Sequence, residues 1–253
     1  MKRRARLVLA AVATLALVPG LGAAVAQLPR FGAHPLPYGE AINRVAPVER
    51  HVTNMVTAVN FDYRGLDTVG EEFMLLTAVT GALVLLRGRR GESVTDSAAE
   101  APGRPIPQRS PALRLLCRCF APVLLLFGLY VVLHAQLTPG GGFQGGAIIG
   151  SGTLLIYLGE DYRVWRRHMR AHLFDAMEAV GALLFLGAGI APMIAGASFL
   201  QNILPLGRTG SLISGGLILI ANAGVALAVT GGFVLLLLEF LEETRAAEPE
   251  DEA

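Results

Sequence analysis

Apolar residues fall into six blocks separated by polar or glycine-rich intervals: residues 7–25, 73–86, 115–137, 147–158, 176–197 and 212–240. An α-helix needs roughly 20 predominantly apolar residues to cross the hydrocarbon core, and a spanning segment must satisfy its own backbone polar groups. The blocks therefore predict an all-α polytopic membrane protein with about six transmembrane helices, two followed by four. None alternates with the period of a barrel strand. The second and fourth blocks are short, so each has to borrow from the less apolar residues upstream, 66–72 and 140–146.

Composition agrees with the block pattern. Of 253 residues, 53% are hydrophobic and only 16% charged, whereas about 25% charged is usual for a soluble domain. The formal net charge of +1 carries no strongly basic footprint, so no nucleic-acid partner is expected. The distribution of positive charge says more than its sum. Sixteen of the 21 Lys and Arg lie before the first block, between the second and third or, as Arg118, at the start of the third, after the fourth or after the sixth; the remaining five are Arg30, Arg44, Arg50, Arg64 and Arg208. By the positive-inside rule this split puts both termini in the cytoplasm of a multi-pass protein of the cell membrane. Lys2 to Arg6, the apolar run to Val18 and Ala24-Val25-Ala26 also fit a cleaved secretory signal. A retained anchor is preferred, because the apolar stretch runs past the usual length of a signal core.

The stretch 89–113 is rich in Gly, Pro, Ser and charge and reads as a cytoplasmic linker. It divides a two-helix segment, 1–88, from a four-helix domain, 114–241, with an acidic tail over 242–253. Between the first two blocks, Val52, Met55, Val56 and Val59 recur at i, i+3, i+4 and i+7, which predicts one apolar stripe on a short helix. Without a basic polar face, that stripe is expected to meet a partner subunit rather than the lipid surface.

The most unusual stretch is Thr138-Pro139-Gly140-Gly141-Gly142-Phe143-Gln144-Gly145-Gly146. Gly140, Gly142 and Gly145 formally match a dinucleotide fingerprint, but a membrane helix stands where that motif needs a strand, and no Gly-Lys-[Ser/Thr] follows. Five glycines instead allow a tight turn and close helix approach, and Pro139 ends one helix or starts the next. The predicted feature is a helix break at a subunit contact or an ion-pathway wall.

Ionisable residues inside or beside the spans are the candidates for function. Glu71 and Glu72 open the second helix, where acids also suit a helix start. His134 precedes the glycine motif and is placed to relay a proton, or to sit satisfied at the interface. Asp175 and Glu178 share a face at the start of the fifth block, as ion-path groups or as helix-start acids. Asp62, Arg64 and Asp67 form an alternating cluster consistent with a salt-bridged turn, and Asn222 suits helix–helix adhesion. Cys117 and Cys119 lack a second pair and read as reduced thiols. Catalytic triads, H-E-x-x-H and paired catalytic carboxylates are missing from the sequence, so it points to no catalytic residue, no metal site, no cofactor and no enzyme acting alone.

Ala121-Pro-Val-Leu-Leu-Leu-Phe-Gly-Leu-Tyr, His134, Pro139-Gly-Gly-Gly-Phe-Gln-Gly-Gly, Leu204-Pro-Leu-Gly and Ser214-Gly-Gly-Leu-Ile-Leu-Ile-Ala-Asn222 together resemble the MnhB (MrpB) subunit of multisubunit cation/proton antiporters, over about residues 114–241. Upstream, Val56-Thr-Ala-Val-Asn-Phe-Asp-Tyr-Arg-Gly-Leu-Asp-Thr-Val-Gly-Glu71 is similar to the MbhE-type segment, which is found at the end of the large MrpA subunit and as a separate subunit of membrane-bound hydrogenases. The resemblance implies a fusion of two neighbouring subunits in an assembly that exchanges Na⁺ or K⁺ for H⁺. Other antiporter subunits are the implied partners, with an energy-converting hydrogenase or complex I-like machine as the alternative setting and a non-transporting scaffold as the third. It also implies that Glu71 matches an ion-path carboxylate and that Pro139 and Phe143 are motif residues. Ala135-Gln136 stands where many relatives carry Gly-His, which weakens the relay role of His134.

Overall fold

The computed structural model describes residues 3–28, 37–90, 110–160, 165 and 169–246. The helices are α1 (Arg3–Ala26), α2 (Pro37–Glu49), α3 (Met55–Ala58) running into a π turn (Val59–Tyr63), α4 (Gly65–Arg90), α5 (Pro111–Leu133), α6 (Gly142–Gly159), α7 (Ala171–Ile194) and α8 (Leu217–Ala246). Among the described residues the only β pairing is an isolated bridge between Gly207 and Ser214. The chain forms two compact units, residues 1–41 and 42–253. The predicted linker falls largely on residues 91–109, which lie outside the described part, as does the tail beyond Ala246.

Among the described residues, four helices are long and apolar enough to cross a membrane: Gly65–Leu86 within α4, Pro111–Leu133, Ala171–Ile194 and Leu217–Leu241. The first and fourth predicted blocks are helices too, but in α1 the apolar part among the described residues is Leu17–Ala26, and α6 has only 18 residues, six of them glycine. As the sequence required, α4 extends upstream of Phe73 to Gly65, and α6 draws on the glycine motif from Gly142 onward. Local chemistry sets several helix ends. Ser110 accepts a hydrogen bond from Leu113 N and Pro111 occupies the first turn of α5, where a missing N–H costs nothing. Asn54 caps α3 by accepting from Val56 N.

The central helix of the larger unit is α8, 67% of whose span is buried, against 11% for α4. With lipid outside, little hydrophobic force separates one apolar face from another, so helix contact depends on small residues that permit close packing. A Cβ on Gly181 of α7 would collide with the backbone of Ala228, and one on Gly224 of α8 would lie 2.9 Å from the carbonyl oxygen of Gly181. The α7–α8 crossing is thus backbone to backbone.

One expectation is corrected here. The stripe Val52, Met55, Val56 and Val59 is not free for a partner. Val52 is fully buried, Met55 and Val59 pack on the cluster of Ile42, Phe61, Phe185 and Val225, and only Val56 points outward. The reason is geometric: α3 lasts one turn before the wider π turn takes over, so the 3.6-residue stripe loses its register.

Candidate functional site

The helix break predicted at the glycine motif exists between α5 and α6. The chain leaves α5 at His134, passes Pro139, and turns through Gly140 and Gly141 with φ of +142° and +148°. Side chains rarely adopt such angles. Gly142 then begins α6 against α8: a Cβ there would stand 2.5 Å from Asn222 O and 2.8 Å from Ala226 N. Gly145 faces the other way, where a Cβ would meet Val132 and come within 2.8 Å of Gly128 O. Gly146 again faces α8, at 2.9 Å from Ala226 O, while Phe143 packs on the core cluster. The motif therefore lets α6 slot between α5 and α8 with backbone contact on both sides.

Such a break frees backbone polar groups, which at membrane depth must find partners in the protein. Asn222, 1% exposed, supplies two: its Oδ1 accepts from Gly142 N at 2.7 Å and its Nδ2 donates to Val132 O at 3.0 Å. Thr53, Asn54 and Thr57 of α3 supply more. Gln136 O accepts from the amides of Thr53 and Asn54. Thr53 Oγ1 donates to Leu137 O, Thr57 Oγ1 to Ala135 O at 2.7 Å, and Asn54 Nδ2 lies 2.7 and 2.8 Å from Ala135 O and Thr138 O. Asn54 and Thr57 escaped the sequence reading, although an Asn just before an apolar helix is a recognisable cap signal.

The predicted ionisable residues separate into three places. His134 ends α5, stacked on Tyr130 at 3.9 Å between ring centroids with Nδ1 3.0 Å from Tyr130 O. Of the cluster Asp62, Arg64 and Asp67, only Arg64 and Asp67 pair with each other. Asp62 turns away along the π turn to Arg50 at 2.8 Å, beside Tyr63, whose ring lies under the Arg50 guanidinium. Burial pushes the Asp62 carboxyl above its ordinary range, and the charge of Arg50 opposes that rise.

The third place is the seam where α4, α7 and α8 meet. Glu71 is on the exposed side of α4, whereas Glu72 is 6% exposed. On α7, Asp175 is half-buried and Glu178 is 6% exposed. Both buried residues keep one carboxyl oxygen, Oε1, without a hydrogen-bond partner. A cavity of about 380 Å³ opens between α4 and α7, and among its described lining residues Glu72 alone is polar; Val69, Phe73, Leu76, Ala182 and Phe185 form most of the remaining wall. Desolvated, unpaired carboxylates within apolar helices are costly, and the fold keeps two of them along this seam.

Helices of spanning length, a buried backbone break and intramembrane carboxylates define a multi-pass membrane protein with the features of an ion-transport subunit. Residues 112–235, which run from α5 to near the end of α8, match the family described as "Domain related to MnhB subunit of Na+/H+ antiporter". A Staphylococcus saprophyticus protein that bears the name antiporter subunit mnhB2 is 30% identical over 131 residues, covering 50% of this chain and 90% of that one. The chain belongs to the MnhB family. Its likeness to solved structures reaches beyond the family match. A chain of the membrane-bound sulfane sulfur reductase, an archaeal respiratory membrane complex, superposes with a TM-score of 0.70 and 29% identity, covering 93% of this chain and 98% of that one. A chain of the Mrp complex from Dietzia sp. DQ12-45-1b gives 0.71 and 28% over 98% of this chain, which spans 27% of that longer polypeptide.

Proposed function

We propose that this chain is a membrane subunit of an Mrp-type multisubunit Na⁺(or K⁺)/H⁺ antiporter, contributing to cation/proton translocation and to assembly. On this reading residues 1–88 are an MbhE-like segment joined to the MnhB unit, and the arginine distribution sets both termini in the cytoplasm. The observation that carries the reading is the buried carboxylate Glu72, facing a cavity inside a fold of the MnhB family. Between the two adjacent glutamates, burial favours Glu72 over Glu71 as the titrating group. The chain itself performs no catalysis; its chemistry is to exchange the ion that neutralises a carboxylate. Na⁺-dependent proton flux is measured in vesicles from a deletion strain complemented with Glu72→Gln, with assembly checked by mass spectrometry of the purified complex. Loss of flux with intact assembly is expected; normal flux with intact assembly refutes the ion-path role and leaves a scaffold.

One observation favours a second setting. The likeness to a chain of a respiratory membrane complex covers nearly all of that chain, so the same module fits a machine driven by redox chemistry in other subunits. Copurification of a redox subunit with this chain would select that setting over the antiporter.

A further inference from the structure

We propose that Glu178, on α7 in the MnhB-family part of the chain, is a second carboxylate station of the cation path, set in a recess where α4, α7 and α8 meet and taking the same monovalent cation or proton as Glu72. This rests on the ion-path reading above and extends it from the N-terminal segment into the MnhB unit.

Packing defines the station. Gly231 and Gly232 of α8 form a recess for Glu178: a Cβ on Gly231 would lie 2.6 Å from Glu178 N and Phe174 O, and one on Gly232 would lie 3.0 Å from Glu178 Oε1 and 3.0 Å from Val79 Cγ2 of α4. Glu178 thus sits where three helices meet, with Oε1 buried and without a hydrogen-bond partner. By the register of α4, the level of Val79 is seven residues from Glu72, about 10 Å along the axis. The cavity wall includes Ala179, immediately after Glu178, and reaches past Glu72 to Val69. Two buried carboxyls with unpartnered oxygens thus stand at different depths along α4, one facing the cavity and one lodged beside Gly232.

The charged groups acting on the pair are acidic. Glu71 adjoins Glu72 on α4, and Asp175 lies one turn from Glu178 on α7. On α8 the buried Glu239 lies seven residues beyond Gly232, about 10 Å toward the end of that helix. An uncompensated charge buried among apolar helices is costly, so the station alternates between two neutral states, protonated and cation-bound. Exchange is one for one: the cation takes the carboxylate oxygens, the proton leaves to water, and the net charge of the station is unchanged.

Dicyclohexylcarbodiimide, which modifies protonated carboxyls in apolar surroundings, tests this without relying on transport. The intact complex purified through this chain is labelled with and without NaCl or KCl, and labelled peptides are quantified by mass spectrometry. Both Glu72 and Glu178 are expected to react in the absence of the cation and to be protected by it. In Glu72→Gln, half-protection of Glu178 is expected to need at least about fivefold more cation, the low end of coupling between linked sites. Gly232→Ala, which presses on Oε1, should reduce labelling of Glu178 and spare Glu72. Protection of Glu72 with Glu178 labelled equally at every cation concentration, or a Glu178 that never reacts, overturns the proposal. Flux separates the two claims. Normal cation-driven proton flux in an assembled Glu178→Gln complex defeats the second station alone, whereas a wild-type complex that moves no cation defeats the antiporter reading itself.

Discussion

Replacing Asn222 by Leu tests whether the helix break is held by its buried side-chain hydrogen bonds. The substitution keeps the branched outline of the side chain, with bulkier methyl groups, and removes both contacts, the acceptor for Gly142 N at 2.7 Å and the donor to Val132 O at 3.0 Å. Val132 O retains longer-range help from Ala135 N at 3.3 Å, but Gly142 N, at the first position of α6, has lost its side-chain acceptor. In water-soluble cores a stranded buried group costs about 1–3 kcal/mol. Interhelical hydrogen bonds in membranes average about 0.6 kcal/mol and reach about 1.7. The membrane figures govern here, and the stranded N–H pushes the total toward their upper end, giving about 2 kcal/mol for the pair. For a chain of this size that corresponds to a fall in Tm of about 4–8 °C. The protein carries its own probe, because it has two cysteines: Cys117, 1% exposed where α5 faces Gly159 of α6, and Cys119, which is exposed. In a Cys119→Ser background, a thiol-reactive dye followed on heating at a fixed scan rate reports the separation of α5 from α6. A shift below about 1 °C, well under the value worked from those magnitudes, would show that the break is held by glycine packing alone.

Glycine packing makes its own prediction. Gly142→Ala places a methyl group against backbone atoms that no rotamer can move, and overpacking of this kind costs about 1–3 kcal/mol; Gly187→Ala, with nothing within 4 Å, should be neutral or stabilising by up to about 1 kcal/mol, and the same thermal assay ranks them. The Asp62 carboxyl makes stability depend on pH. Because burial raises its folded pKa above the ordinary value, the folded state binds the extra proton, so its contribution is full below the unfolded pKa and is lost as pH rises through the folded one. Asp62→Asn should flatten that acid-side slope, and Arg50→Gln should carry the falling limb to higher pH; thermal melts across an acid pH series would refute this if the three slopes coincide.

The helices were readable because a bilayer leaves the backbone few choices, and block length then locates each span. The break at Pro139 to Gly146 was readable for the same reason, since five glycines inside an apolar chain have few structural uses. Which glutamate of the pair faces inward was not. On α4 Asp67 and Thr68 stand one turn before Glu71 and Glu72 alike, so both glutamates follow a polar residue at i−4 and no amphipathic pattern marks the buried face; the choice is made by distant residues of α7 and α8. The pairing of Asp62 with Arg50 needs the π turn, whose register no local pattern announces. Gly231 and Gly232 passed unremarked because glycine is ordinary in membrane helices; only the carboxylate lodged beside them gives them meaning.

The seating of Asn54, Thr53 and Thr57 on the carbonyls of residues 135–138 has a bearing on how such a chain can be divided. None of those hydrogen bonds involves a residue between 91 and 109. They join surfaces that are distant in sequence and complementary in themselves, as two proteins would be. Covalent continuity then adds only a raised local concentration of one piece about the other. A gene boundary could fall in that interval and leave every one of these contacts available to two separate polypeptides, so fused and split versions of the module are the same physical object at different effective concentrations.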